Sequence, residues 1–138
     1  MKVWMPVVLV LLFSITALAH DPGLSGAEVQ ILADRIVAEV SFAPTDLERL
    51  QHAGSNDYIA GHLLLIKRDQ ETLKLRDFTV KTTDANSIHF ILEFPNPPGT
   101  EMHLSAIAFD HLPRGHKQFL SVRDSTGKQL GERMLSAE

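Results

Sequence analysis

The sequence predicts an all-β domain, an antiparallel immunoglobulin-like β-sandwich with a short helical insertion. Three observations predict it. Apolar residues recur at alternate positions through most of the chain after residue 27, clusters of turn-forming residues separate these runs, and a proline-rich stretch closes one of them. Seven or so short strands in one domain suit a sandwich, with a small closed barrel as the alternative architecture.

The first element is a leader. Lys2 precedes an apolar run from Val7 to Phe13 that continues through Ile15 and Leu18, and Ala17-Leu18-Ala19 has the small-x-small form of a signal-peptidase site. About a dozen apolar residues are too few for a bilayer core, which needs roughly 20. Residues 1–19 are therefore expected to be removed, leaving a single domain over 20–138 that begins at His20 in the periplasm or outside the cell.

Val29 and Ile31 alternate with Glu28 and Gln30, and Ile36, Ala38, Val40 and Phe42 alternate with Val37, Glu39 and Ser41. With Ala33-Asp34 between the two runs, residues 27–42 form a predicted hairpin. Pro44 and the capping-type residues after it, with Leu47 and Leu50 at i, i+3, predict a short helical turn. His52–Asp57 is expected to be a loop, and Tyr58–Ile66 is open between helix and buried strand, because a short apolar run carries no period of its own. A second hairpin pairs Phe78–Thr82 with Ile88–Phe94 across Asp84-Ala85-Asn86. Pro95-Asn96-Pro97-Pro98-Gly99 ends that strand, since each proline removes a ladder donor. Met102–Phe109, Lys117–Arg123 and Gln129–Leu135 are three further predicted strands, the last two joined across Asp124-Ser125-Thr126-Gly127.

Composition narrows the function. The chain has 13 basic and 17 acidic side chains, and Lys2 is lost with the leader, so the acidic excess grows on export. That balance argues against nucleic acid and anionic membranes as partners, which need clustered Lys and Arg. With Cys 0 there is no disulfide, thiol nucleophile or thiolate metal site.

Several segments resemble one family. His20-Asp21-Pro22-Gly23-Leu24-Ser25, the run Ala38–Phe42 leading to Asp46-Leu47, and the block from Leu112 through Gly115-His116 to Asp124, with Glu132–Ala137 after it, are similar to the exported N-terminal domain of bacterial HupE/UreJ-type membrane proteins. The resemblance implies a link to hydrogenase and urease accessory systems, and through them to nickel or another transition metal. It also implies an inner-membrane HupE/UreJ-like protein as partner. No run of membrane helices follows the domain here, so transport is not carried over from that resemblance.

The seven histidines all follow the leader. No His-Glu-x-x-His, no Gly-x-Ser-x-Gly elbow and no phosphate loop is present, so no catalytic residue is assigned and the chain is not expected to be an enzyme. His20 is the exception among the histidines, because after cleavage it presents an α-amine beside its own imidazole and can chelate a metal through two nitrogens. His111 and His116, flanking Leu112-Pro113-Arg114-Gly115 in a predicted loop, are the candidates to complete a copper or nickel site, with Asp110 to orient either imidazole. Each of the two, taken singly, also suits a solvated loop histidine. His89 is placed on an outer sheet face, His103 opposite Met102 and Leu104, His52 in a polar loop, and His62 is expected to be a satisfied buried imidazole. Arg114 and Arg123 are read as surface charges.

Two functions are open at this level. One is an exported accessory domain that handles a transition metal or serves a HupE/UreJ-like membrane partner; the other is a structural or interaction module with neither metal nor catalysis. No small-molecule substrate is identified.

Overall fold

The predicted hairpin opens the structure. Strands β1 (Leu24–Ile31) and β2 (Arg35–Phe42) pair antiparallel, Val29 opposite Ala38 and Ala27 opposite Val40, closed by Leu32 N–H donating to the Arg35 carbonyl. Their alternation sends Ala27, Val29, Ile36, Ala38, Val40 and Phe42 to one face, where all are buried. The computed structural model describes residues 23–83, 86–106 and 108–136; the expected leader, His20, and Asp84-Ala85 of the predicted second turn lie outside the described residues.

Helix α1 (Pro44–Gln51) follows with Pro44 in its first turn, where a missing N–H costs nothing. Its N-cap is Ala43, which makes no side-chain cap. The carboxylate of Asp46 is engaged elsewhere, as described below. Helix α2 (Asn56–Leu63) is capped by Ser55, whose hydroxyl accepts from Tyr58 N–H, and it runs directly into β3 (Leu64–Arg68). The stretch left open between helix and strand is thus both in succession. Helical spacing buries Ile59, Ala60 and Leu63 together, which leaves His62 off the buried face. The expectation of a buried His62 is corrected: it is exposed, stacked on Tyr58 with ring centroids 4.1 Å apart.

Strand β3 turns into the two-residue β4 (Glu71–Thr72) through Asp69 and Gln70, both at positive φ (47° and 74°), the form favoured in two-residue hairpins. Asp69 also ties this turn to the segment before β7, accepting from the backbone N–H groups of Thr100 and Glu101. Those bonds hold its carboxyl below the usual range. The second predicted hairpin is present as β5 (Asp77–Thr82) and β6 (Ile88–Pro95), and β6 stops at the first proline of the 95–99 stretch. Strand β7 (Met102–Ala106) is shorter than the alternation predicts. A 3₁₀ turn over Ala108–His111 follows it and packs against both helices, which lets Leu112 enter the core. Finally β8 (Lys117–Arg123) and β9 (Gln129–Ser136) pair across the expected turn, where Asp124 accepts from the backbone N–H of Thr126 and of Lys128.

The strands form two sheets. One has six strands in the order β5-β6-β2-β1-β8-β9, the other three in the order β4-β3-β7. A single hydrophobic cluster joins them: the inward residues of β1, β2 and β6, Leu64 and Ile66 of β3, and Leu47, Leu50, Ile59 and Leu63 of the helices. Phe42 and Phe90 are fully buried there, and truncating either to Ala would cost about 3–5 kcal/mol. The described chain is therefore mostly β, with two sheets, one core and two short helices.

An all-antiparallel arrangement is not what forms. Strands β1 and β8 run parallel, Ala27 beside Leu120 and Val29 beside Val122. The reason lies where the two strands begin: Lys117 N–H donates to the Gly23 carbonyl at 2.8 Å, so both start at one corner and leave it together. Among the described residues no helix is long and apolar enough to cross a membrane.

Candidate functional site

That corner gathers four residues from three distant segments. Gly23 precedes β1 at φ +88°, Ser25 is the second residue of β1, Asp46 sits in the first turn of α1, and His116 immediately precedes β8. His116 is set by a tight turn in which its own N–H donates to the Pro113 carbonyl at 3.0 Å. Gly115 lies at φ +82°, as the third position of a type II turn requires.

Ser25 points inward in phase with Ala27 and Val29, so its hydroxyl is carried into the interior. It meets His116 there, Nε2 to Oγ 2.8 Å. The other ring nitrogen, Nδ1, lies 3.8 Å from Asp46 Oδ2, beyond hydrogen-bond range but well inside electrostatic reach. The same Asp46 oxygen accepts the Gly23 N–H at 3.0 Å and benefits from its place at a helix N-terminus. Ser25, Asp46 and His116 are each 1 % exposed. Burial lowers the pKa of His116 and the Asp46 carboxylate only partly offsets it, so the imidazole is neutral at pH 7. A proton on Nδ1, facing the carboxylate, with Nε2 accepting from Ser25, is the tautomer that suits both neighbours.

A cleft of about 480 Å³ opens beside this cluster, lined among others by Asp46, His116, Arg49 and Arg114. Ser25 is not in its lining. The order Ser–His–Asp is that of a hydrolase relay, but the nucleophile position is sealed, and geometry of this kind clamps three chain segments instead of presenting a hydroxyl to a substrate. A second chain of the same type stands on the outer sheet face: Ser87 Oγ is 2.7 Å from His89 Nε2, and His89 Nδ1 is 2.6 Å from Glu39 Oε1. Its serine too is buried, 3 % exposed.

The predicted metal residues are distributed unequally. His116 is buried in the corner cluster, not a solvated loop histidine, and its neighbouring carboxylate is Asp46 in place of Asp110. His111 is exposed and lines a small apolar pocket with Tyr58 and His62, separate from the His116 cleft. His20 lies outside the described residues. Among the described residues no group of three or more His, Cys, Asp or Glu is gathered to hold an ion. His89 and His103 are where alternation puts them, His103 exposed beside Glu101 and His89 on the outer face, and His52, Arg114 and Arg123 are exposed.

Ser25 and Asp46 carry part of the resemblance, but neither is a candidate site residue in the sequence. A signal existed for Ser25, a hydroxyl in the inward phase of a strand whose next inward residues are Ala27 and Val29. Asp46 had none, because an acid in a first helical turn is ordinarily a local feature. Neither the models of known protein families nor the sequences of curated proteins give a match to this chain.

Proposed function

We propose that residues 20–138 form an exported accessory domain of HupE/UreJ type, an immunoglobulin-like sandwich that handles copper or nickel for a membrane partner. One observation carries this. Three of the segments that carry the resemblance, around Gly23-Leu24-Ser25, Asp46-Leu47 and Gly115-His116, converge on a single cleft.

Within the cleft, His116 and Asp46 would offer two ligand atoms 3.8 Å apart, Oδ2 and, once its proton passes to Nε2 with Ser25 turning to accept it, Nδ1. Two are fewer than the three or four protein ligands that hold a transition metal. His20, three residues before Gly23 in the chain, would in this reading supply an amine and an imidazole. His111 belongs to a different pocket, so in this reading His116 is the partner of His20. The burial of the cluster, with Ser25 bonded to His116 and Asp46 bonded to Gly23, favours a second reading, an interaction module in which the cluster only fastens the fold.

Competition of the cleaved protein against a chromophoric chelator for Cu(II) or Ni(II) tests the choice. A one-to-one complex is expected, largely lost in His20→Ala, weakened by a residue added ahead of His20 and by Asp46→Asn, and unchanged in His89→Ala. A mature protein that competes no better than an unfolded peptide carrying His20–Ser25 would leave the interaction module as the function.

A further inference from the structure

The outer face of the six-stranded sheet carries a built groove that the His116 cleft does not use. Register places Gly26 between Ser41 on β2 and Phe119 on β8, with Met134 beyond Phe119 on β9. Leu24, Phe119 and Met134 are 37 %, 40 % and 51 % exposed, large apolar side chains left in solvent. Gly26 contributes no side chain at all, and a Cβ there would come within 3.0 Å of Ser41 Oγ. The result is a groove of about 540 Å³ floored by the glycine.

One register step along, Glu39 stands opposite Glu28, Glu28 beside Ser121, and Ser121 opposite Glu132. Like charges directly opposed cost stability, and this row holds no Lys or Arg. Lys117 beside Leu24, Arg123 beside Gln30 and Lys81 opposite His89 flank the row without entering it. An apolar bank on β1, β8 and β9 therefore runs next to a row that carries Glu39, Glu28 and Glu132 on β2, β1 and β9.

We infer that this face docks a basic amphipathic segment of a partner protein, its apolar side chains entering the Gly26 groove and its Lys or Arg side chains meeting Glu28 and Glu132, with Glu39, already bonded to His89, at the end of the acidic row. The charge decides the occupant. Acidic groups repel phosphate-bearing lipids and nucleic acids and attract a cationic chain, while the apolar bank supplies the buried anchor that gives such a contact most of its affinity. Neither His20 nor a metal is involved, so failure here leaves the metal reading untouched, and failure of the metal reading leaves this one.

The test uses the exported chain and a labelled peptide of roughly 18 residues, Leu and Lys at helical spacing, with a Leu/Glu peptide of the same pattern as control. Fluorescence anisotropy should show saturable one-to-one binding of the first and none of the second. Gly26→Leu, which fills the groove without changing charge, and Phe119→Ser with Met134→Ser, which remove its exposed apolar side chains, should each weaken it about tenfold or more. Glu28→Gln with Glu132→Gln should weaken it and flatten its salt dependence. Binding that survives the two uncharged changes would be non-specific attraction and would overturn the proposal. Preferential binding to phosphatidylglycerol vesicles, or a dimer in sedimentation that Phe119→Ser and Met134→Ser dissolve, would replace the occupant by a membrane or by a second copy.

Discussion

His116 Nε2 and Ser25 Oγ are 2.8 Å apart across a sequence separation of 91, both sealed from solvent, and this bond locks the start of β1 to the start of β8. Ser25→Ala strips the buried imidazole of its hydroxyl partner and is expected to cost about 1–3 kcal/mol. Adding His116→Phe should recover part of that loss, because replacing both polar partners by apolar groups removes the uncompensated desolvation. Urea denaturation of the two single variants and the double variant gives the coupling; strictly additive losses would mean that the bond is not the source of the effect.

Acid should weaken the fold through His116. Its native pKa lies below the ordinary value of about 6.5, chiefly because burial disfavours the imidazolium, against the pull of Asp46. As pH falls the unfolded chain takes up the proton first, so the contribution is complete above about pH 6.5 and is lost as pH drops through the lowered native value. Asp69 and Asp124 are held low by hydrogen bonds and lose their contribution only below the ordinary carboxylate value near 3.9, a separate window. Urea midpoints measured between about pH 7.5 and 4.5 should decline, and His116→Gln should flatten that decline. An unchanged slope in the variant would assign it to other groups.

Gly115→Ala puts a side chain at φ +82°, where an L-residue pays about 1–2 kcal/mol, although no atom lies within 4 Å of the added carbon. The strain falls on the turn that sets His116. Gly131→Ala is the control, with no positive φ and nothing near its added carbon, and its melting temperature should stay close to that of the parent. Equal effects at the two positions would remove the conformational explanation.

Exported material should begin at His20, since Ala17-Leu18-Ala19 is the well-placed cleavage site. Intact mass settles it, and a product retaining Met1–Ala19 would also withdraw the free amine on which the metal reading depends.

Much of the secondary structure was legible. The phase of Ile36, Ala38, Val40 and Phe42 names the buried face of β2, the Ala33-Asp34 break closes its hairpin, and the prolines at 95–98 end β6, all consequences of local backbone geometry. Tyr58–Ile66 resisted because it contains an element boundary at Leu63–Leu64, and a window that averages across a boundary loses both periods.

By itself, then, the chain's alternation determined that this is a β-rich protein, where most strands lie and which of their faces turn inward. Turn residues paired the strands within each hairpin, but the alternation carried no information on how the hairpins adjoin. A strand buried on one face alternates in the same way beside a parallel or an antiparallel neighbour, so the pairing of β1 with β8 was decided only when the whole core closed. The site follows the pairing. Ser25, Asp46 and His116 are ordinary residues locally, on a strand, in a first helical turn and after a tight turn, and only the parallel start of two distant strands beside α1 makes them one buried cluster.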